Sequence, residues 1–294
     1  MSVIKIEQLT KNFGHFTAVD NISMRVEEGE VFGFIGPNGA GKTTSMRVLL
    51  GMYKPTSGVA EIFGKHCWRD AVDIHKRIAY VPGDVNLWPN LTGLEVIDLL
   101  CRLNGVKNEK RRDQFIQRFD LDISKKCKKY SKGNRQKVAL VAAMTLDADL
   151  YLFDEPTSGL DPLMEEVFQE CVAEEKKKGK TVFLSSHILS EVESLCDRIA
   201  IIKKGRVIES GTLDTLRHLT RSNVRLTLSS LIDDNLLKME GVHNLNAEDG
   251  VYTFQVDNAM MGSMMREIGK LNVNHIEITP LSLEELFLHY YSEA

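Results

Sequence analysis

The chain has no apolar run near the ~18–20 residues needed to cross a bilayer. Its longest, "VALVAAMTL" at 138–146, reads as a buried helix, so the chain is not expected to form a membrane channel by itself. It has no C-x-x-C pair. Cys67, Cys101, Cys127, Cys171 and Cys196 are scattered and odd in number, which fits free thiols in a reducing cytosol. It has no excess of basic charge: 37 Lys and Arg against 41 Asp and Glu leave a net charge of −4. No global basic field exists to hold a nucleic acid, and no nucleic-acid partner is expected. The basic run at 125–137 has almost no interleaved aromatics and reads as a solvated helical face. There is no heptad run for a long coiled coil. The N-terminal "MSVIKIEQLT" lacks a signal-peptide core and alternates like a strand.

What the 294 residues do contain is enough for a domain of about 200 residues and a small second one. "VIKIEQL" (3–9) and "ISMRVEEGEVFGFIG" (22–36) read as strands, with "EEGE" as a turn. "GVAEIFG" (58–64) and "RIAYVPG" (77–83) are further strand candidates. A helical insertion follows, at about 84–147; "TGLEVIDLLCRL" opens it with a Thr92–Glu95 capping box. Then "DLYLFDE", "TVFLSS" and "RIAIIKKGRVIESG" alternate with helical segments, which predicts a mostly parallel sheet covered on both faces, with antiparallel strands at the N-terminus. From 220 to 294 the predicted order β-α-β-β-α-β points to a small α+β, ferredoxin-like domain after an ATP-binding domain at 1–219. "SLEELFLHYY" closes the chain with a second capping box, Ser282 and Glu285. Met260, Met261, Met264 and Met265 share one helical face; core packing is the expected role, a binding groove the alternative.

"GPNGAGKT", Gly36 to Thr43, fits G-x-x-x-x-G-K-[ST] between a strand and a helix. Its glycines let backbone N–H groups close around phosphate oxygens, and the helix N-terminus adds positive potential. Lys42 would reach the terminal phosphates and Thr43 would offer a hydroxyl to Mg²⁺. In "LYLFDEP" an apolar strand delivers Asp154 to the edge of the sheet, where it can hold the metal through water. Glu155 follows as a general base for the attacking water. His187 ends another strand, "FLSSH", and can orient that water or reach the γ-phosphate.

Together these residues resemble the ATP-binding subunits of ABC transporters over residues 1–215. "GPNGAGKTT" (Gly36, Pro37, Asn38, Gly39, Ala40, Gly41, Lys42, Thr43, Thr44) resembles the Walker A motif and "LYLFDEP" Walker B, with a P-loop NTPase fold implied. "SGLD" (158–161) resembles the D-loop and His187 the switch histidine. "YSKGNRQ" stands where the family has its signature, usually LSGGQ: Ser131 and Gly133 match, whereas Tyr130, Lys132 and Asn134 replace Leu, Gly and Gln. The resemblance implies a dimer, with a second copy or a homologous subunit, around two Mg·ATP, each signature reaching the nucleotide held by the other chain. It implies adenine stacking on Phe13, with Phe16 as the alternative, and a peripheral place on the cytoplasmic face of the membrane through an integral-membrane permease. The C-terminal extension is similar to that of ABC-2 type exporters. The family's Q-loop glutamine is replaced by Gly83; beside it Asp84 is either a surrogate ligand or, with Pro82 and a positive-φ Gly83, only a turn. A soluble ABC ATPase of translation or DNA repair, and a nucleotide-sensing regulator, are the alternatives. The single Walker A motif and the intact Glu155 weigh against them.

Overall fold

The computed structural model describes residues 2–218, 221–228, 241–248, 250–280 and 285. The described chain divides into two units, Met1–Ser210 and Gly211–Ala294.

In the first unit, two long strands, β1 (Ser2–Phe13) and β2 (Phe16–Glu27), pair antiparallel through a Gly14–His15 turn. With β4 (Ser57–Ile62) and the short β5 (Lys65–His66) they make one sheet, ordered β2-β1-β4-β5. The second sheet carries the chemistry. Its order is β10-β9-β3-β8-β7-β6, from β3 (Val31–Ile35), β6 (Ile78–Val81), β7 (Leu150–Asp154), β8 (Thr181–Ser186), β9 (Arg198–Lys203) and β10 (Arg206–Thr212). The pairs from β9 to β6 are parallel. β9 turns into β10 at Lys204 and Gly205, both at positive φ, as a two-residue hairpin requires. β3, β7 and β8 are buried along their whole length, as a sheet covered on both faces demands. Phe32, Phe34 and Phe183 stack inside it. Each such fully buried aromatic contributes about 1.5–3 kcal/mol.

Helices α1 (Lys42–Leu49), α2 (Ala71–His75), α6 (Pro162–Lys177) and α7 (Leu189–Leu195) connect these strands. The expected helical insertion is α3 (Gly93–Leu103), α4 (Glu109–Arg118) and α5 (Lys132–Thr145). The Thr92–Glu95 capping box is formed on both sides. Buried polar contacts join the insertion to the core: the Arg111 guanidinium donates to Glu175 at 2.9 Å, and the Tyr151 hydroxyl donates to the other oxygen of the same carboxylate.

The second unit has helix α8 (Leu213–His218) and strands β11 (Arg221–Leu228), β12 (Val242–Glu248), β13 (Val251–Asp257) and β14 (Val273–Pro280), ordered β12-β13-β11-β14 and antiparallel throughout. That is the ferredoxin-like order expected. Its core takes Met264 and Ile268 of α9 (Met261–Ile268) against Val224, Leu226, Phe254 and Val256. Of the four methionines expected on one face, Met264 is buried, and Met260 and Met261 pack at the core's margin. Met265 instead points outward, 42% exposed. The helix expected at 231–239 and the Ser282 end of the closing capping box lie outside the described residues.

Candidate nucleotide site

The site grows from strand order. β8 lies between β3 and β7, with Ile35 opposite Ser186 and Asp154 opposite Ser185. The phosphate loop leaves the end of β3, Glu155 follows β7, and His187 follows β8. Residues as far apart in the chain as Lys42 and His187 therefore meet on one edge, where ligands bind in open α/β sheets.

Gly41 enters α1 at φ 113° and without a side-chain cap. A Cβ there would press on the Ala18 carbonyl oxygen at 2.7 Å. Helices α3, α4, α5 and α6, by contrast, carry caps from Thr92, Asn108, Ser131 and Asp161. The first-turn N–H groups of α1 are thus left for an outside acceptor, which fits a phosphate. Lys42 is buried and donates to the carbonyls of Gly36 (2.5 Å) and Pro37 (3.2 Å). Its ammonium lies 3.5 Å from Glu155 Oε1, and His187 Nδ1 lies 3.4 Å from the same oxygen. Asp154, also buried, accepts from the Ser185 hydroxyl at 2.5 Å. Glu155 sits at φ 49°, a left-handed conformation that a non-glycine residue adopts at a cost of about 1 kcal/mol.

Thr43 and Thr44, in the first turn of α1, are half-buried. Ser131 and Gly133 stand apart, at the start of α5. The Ser131 hydroxyl accepts the Asn134 N–H at 3.2 Å and is exposed, so its own proton is free to be donated. The rest of the signature is held by its own chain. Lys132 Nζ donates to Ser158 Oγ at 2.6 Å, Gln136 donates to the Pro156 carbonyl at 2.8 Å, and a Cβ on Gly133 would overlap the Gly159 carbonyl oxygen. Phe13 and Phe16 are both exposed and neither belongs to the core. Phe13 packs edge-on against Tyr53, whose hydroxyl meets Arg47 of α1.

One expectation changes at the Q-loop. Gly83 is absent from the positive-φ residues; its lack of a side chain serves instead to let the chain pass the Asp154 carbonyl, 3.1 Å from where a Cβ would lie. Asp84 is exposed and accepts from the Asn86 side chain at 3.3 Å. Sequence reasoning missed Ser185, Tyr53 and Glu191. Only the buried serines of "FLSSH", polar in an apolar strand, offered a signal.

A family model described as "ABC transporter" matches residues 19–158, and one described as "ATP-binding protein DrrA1-3-like, C-terminal domain" matches 211–291. The bacitracin transport ATP-binding protein BcrA of Bacillus licheniformis is 33% identical over 98% of this chain and 96% of its own. An ATP-binding subunit of an ABC transporter of known structure is 33% identical with a TM-score of 0.69, over 73% of this chain and 92% of that one. The dimeric bacterial ABC transporter cassette MJ0796 is 26% identical with a TM-score of 0.67, over 71% and 98%. With motifs, fold and a near full-length relative in agreement, the chain belongs to the ABC transporter family as an ATP-binding, ATP-hydrolysing subunit.

Proposed function

We propose that the chain powers a membrane exporter, working as a head-to-tail dimer on the cytoplasmic face of the membrane. The observation that carries this is the joining of Lys42, Glu155 and His187 at the ends of three adjacent strands. Lys42 leaves the loop carbonyls for the terminal phosphates of ATP, while the N–H groups of residues 38–44 surround them. Phe13, resting on Tyr53, offers its exposed face to adenine. Thr43 and Asp154 would hold Mg²⁺, which would supply positive charge against the phosphates. Water attacks the γ-phosphorus in line, its proton passes to Glu155, and the bond to the ADP oxygen breaks. His187 fixes the geometry, and Ser131 of the second copy donates to the γ-phosphate.

An apolar groove of about 380 Å³, between the 50–52 turn, the 85–88 loop, α3 and α5, has Met52 and Trp88 exposed at its rim. The permease docks there in this reading. Backbone bonds lead from that loop toward the signature: Lys128 N–H to the Pro89 carbonyl (3.2 Å) and Cys127 N–H to Leu91 (2.8 Å). They offer a route from permease to nucleotide without the Q-loop side chain. Export is supported by the full-length match to BcrA, a bacitracin transport protein. Glu155→Gln tests the chemistry: it should bind Mg·ATP, accumulate as a dimer on size-exclusion and lose turnover. Turnover at the parent rate removes Glu155 from the mechanism.

A further inference from the structure

Among the described residues, the ATPase site leaves a buried carboxyl next to its switch loop unused. Glu191, on α7, is only 4% exposed. Its Oε2 accepts from the Ser186 hydroxyl at 2.6 Å, and the same hydroxyl accepts the Ile188 N–H at 2.9 Å. Ser186 and Ile188 flank His187. Thr157, in the turn that follows Glu155, is buried as well. Oε1 is buried without a hydrogen-bond partner among the described residues. Glu155 at the end of β7 and Glu165 on α6 face the same carboxyl, and Cys196 lies beyond α7. Burial pushes its pKa up to about 7.

We propose that Glu191 is a positioning residue: through Ser186 it holds the loop that aims His187 at Glu155. It touches neither substrate nor metal. The inference rests on the roles given above to His187 and Glu155, so the experiment measures His187→Ala beside it.

Steady-state ATPase kinetics of the full chain are compared for Glu191→Ala, Glu191→Gln, Ser186→Ala and the Ser186→Ala/Glu191→Gln pair. Glu191→Ala should lower kcat by about tenfold or more with the KM for ATP within about twofold. Glu191→Gln should recover at least roughly a third of the parent kcat, since its amide oxygen still accepts from Ser186. The double variant should be no slower than Ser186→Ala alone, because the two act through one hydrogen bond. A parent-like Glu191→Ala, or a Glu191→Gln as slow as Glu191→Ala, overturns the proposal. If Glu191→Ala does not fold, additive losses in the double variant overturn it equally. A fully active His187→Ala instead overturns the role of His187, and the failure is then traced to the site rather than to Glu191.

Discussion

Glu191 also sets a pH dependence at the residue scale. Its pKa is about 7 in the folded chain against an ordinary 4.5, so the folded form binds this proton more tightly than the unfolded form. Its contribution is neutral below about pH 4.5, turns unfavourable as pH rises toward 7, and costs roughly 3 kcal/mol above that, an upper figure before local relaxation. Glu191→Gln removes the cost. Denaturant unfolding at pH 5 and pH 8 should show little gain from the substitution at the lower pH and a clear gain at the higher; an equal gain at both contradicts it. A residue that destabilises the chain yet sits between two reactive loops is a candidate for function rather than for folding. Lys42, Asp154, Glu155 and His187 were legible because short motifs tie each to a strand end. Glu191 and Ser185 were not. The Ser185–Asp154 bond spans 31 positions and exists only because β8 lies beside β7.

Elements show where local pattern stops being enough. The strands expected at 3–9 and 22–36 run on into a hairpin through Phe13 and Phe16, which the alternation does not reveal. Register shifts between Ile6 and Leu9, and again between Leu9 and Lys11, break the period of two while pairing continues. β5 and α2 are too short to carry a period. Tyr130, the departure from the family leucine, has a local reason. Its hydroxyl donates to the Asp122 carbonyl at 2.5 Å, and Gly93 leaves room for it, since a Cβ there would lie 2.5 Å from the hydroxyl. Gly93→Ala should therefore cost about 1–3 kcal/mol in denaturant unfolding, and Tyr130→Leu in the same chain should recover part of it. Additive losses would show that the two do not share this space. The 83–90 loop yields a second test. Asp84 is exposed and accepts from Asn86, away from the buried Asp154 carboxyl, and Asp84→Asn should titrate with Mg²⁺ as the parent does. A variant needing far more Mg²⁺ restores the surrogate-ligand reading.

On the scale of the whole molecule, every candidate phosphate-contacting residue lies in the first unit. A chain ending at residue 219 should keep ATP binding within about twofold, by nucleotide titration; a folded but non-binding fragment places part of the site downstream. The ferredoxin-like order was legible because its strands alternate cleanly, as Val224, Leu226 and Leu228 show on β11. The position of the signature was legible too, and the resemblance implied its task. In a single chain Lys132, Gly133 and Gln136 turn inward to the 156–159 turn, while Ser131 faces outward at a helix start. That division supports the proposal that Ser131 serves the nucleotide of the second copy. The most direct measurement mixes two inactive chains, Lys42→Ala and Ser131→Ala, and follows phosphate release. Random pairing makes half the dimers mixed, each with one intact site of two, so the mixture should reach roughly a quarter of parent activity while neither chain alone turns over. A mixture as inactive as its components, with mixed dimers demonstrably formed, would contradict the shared site.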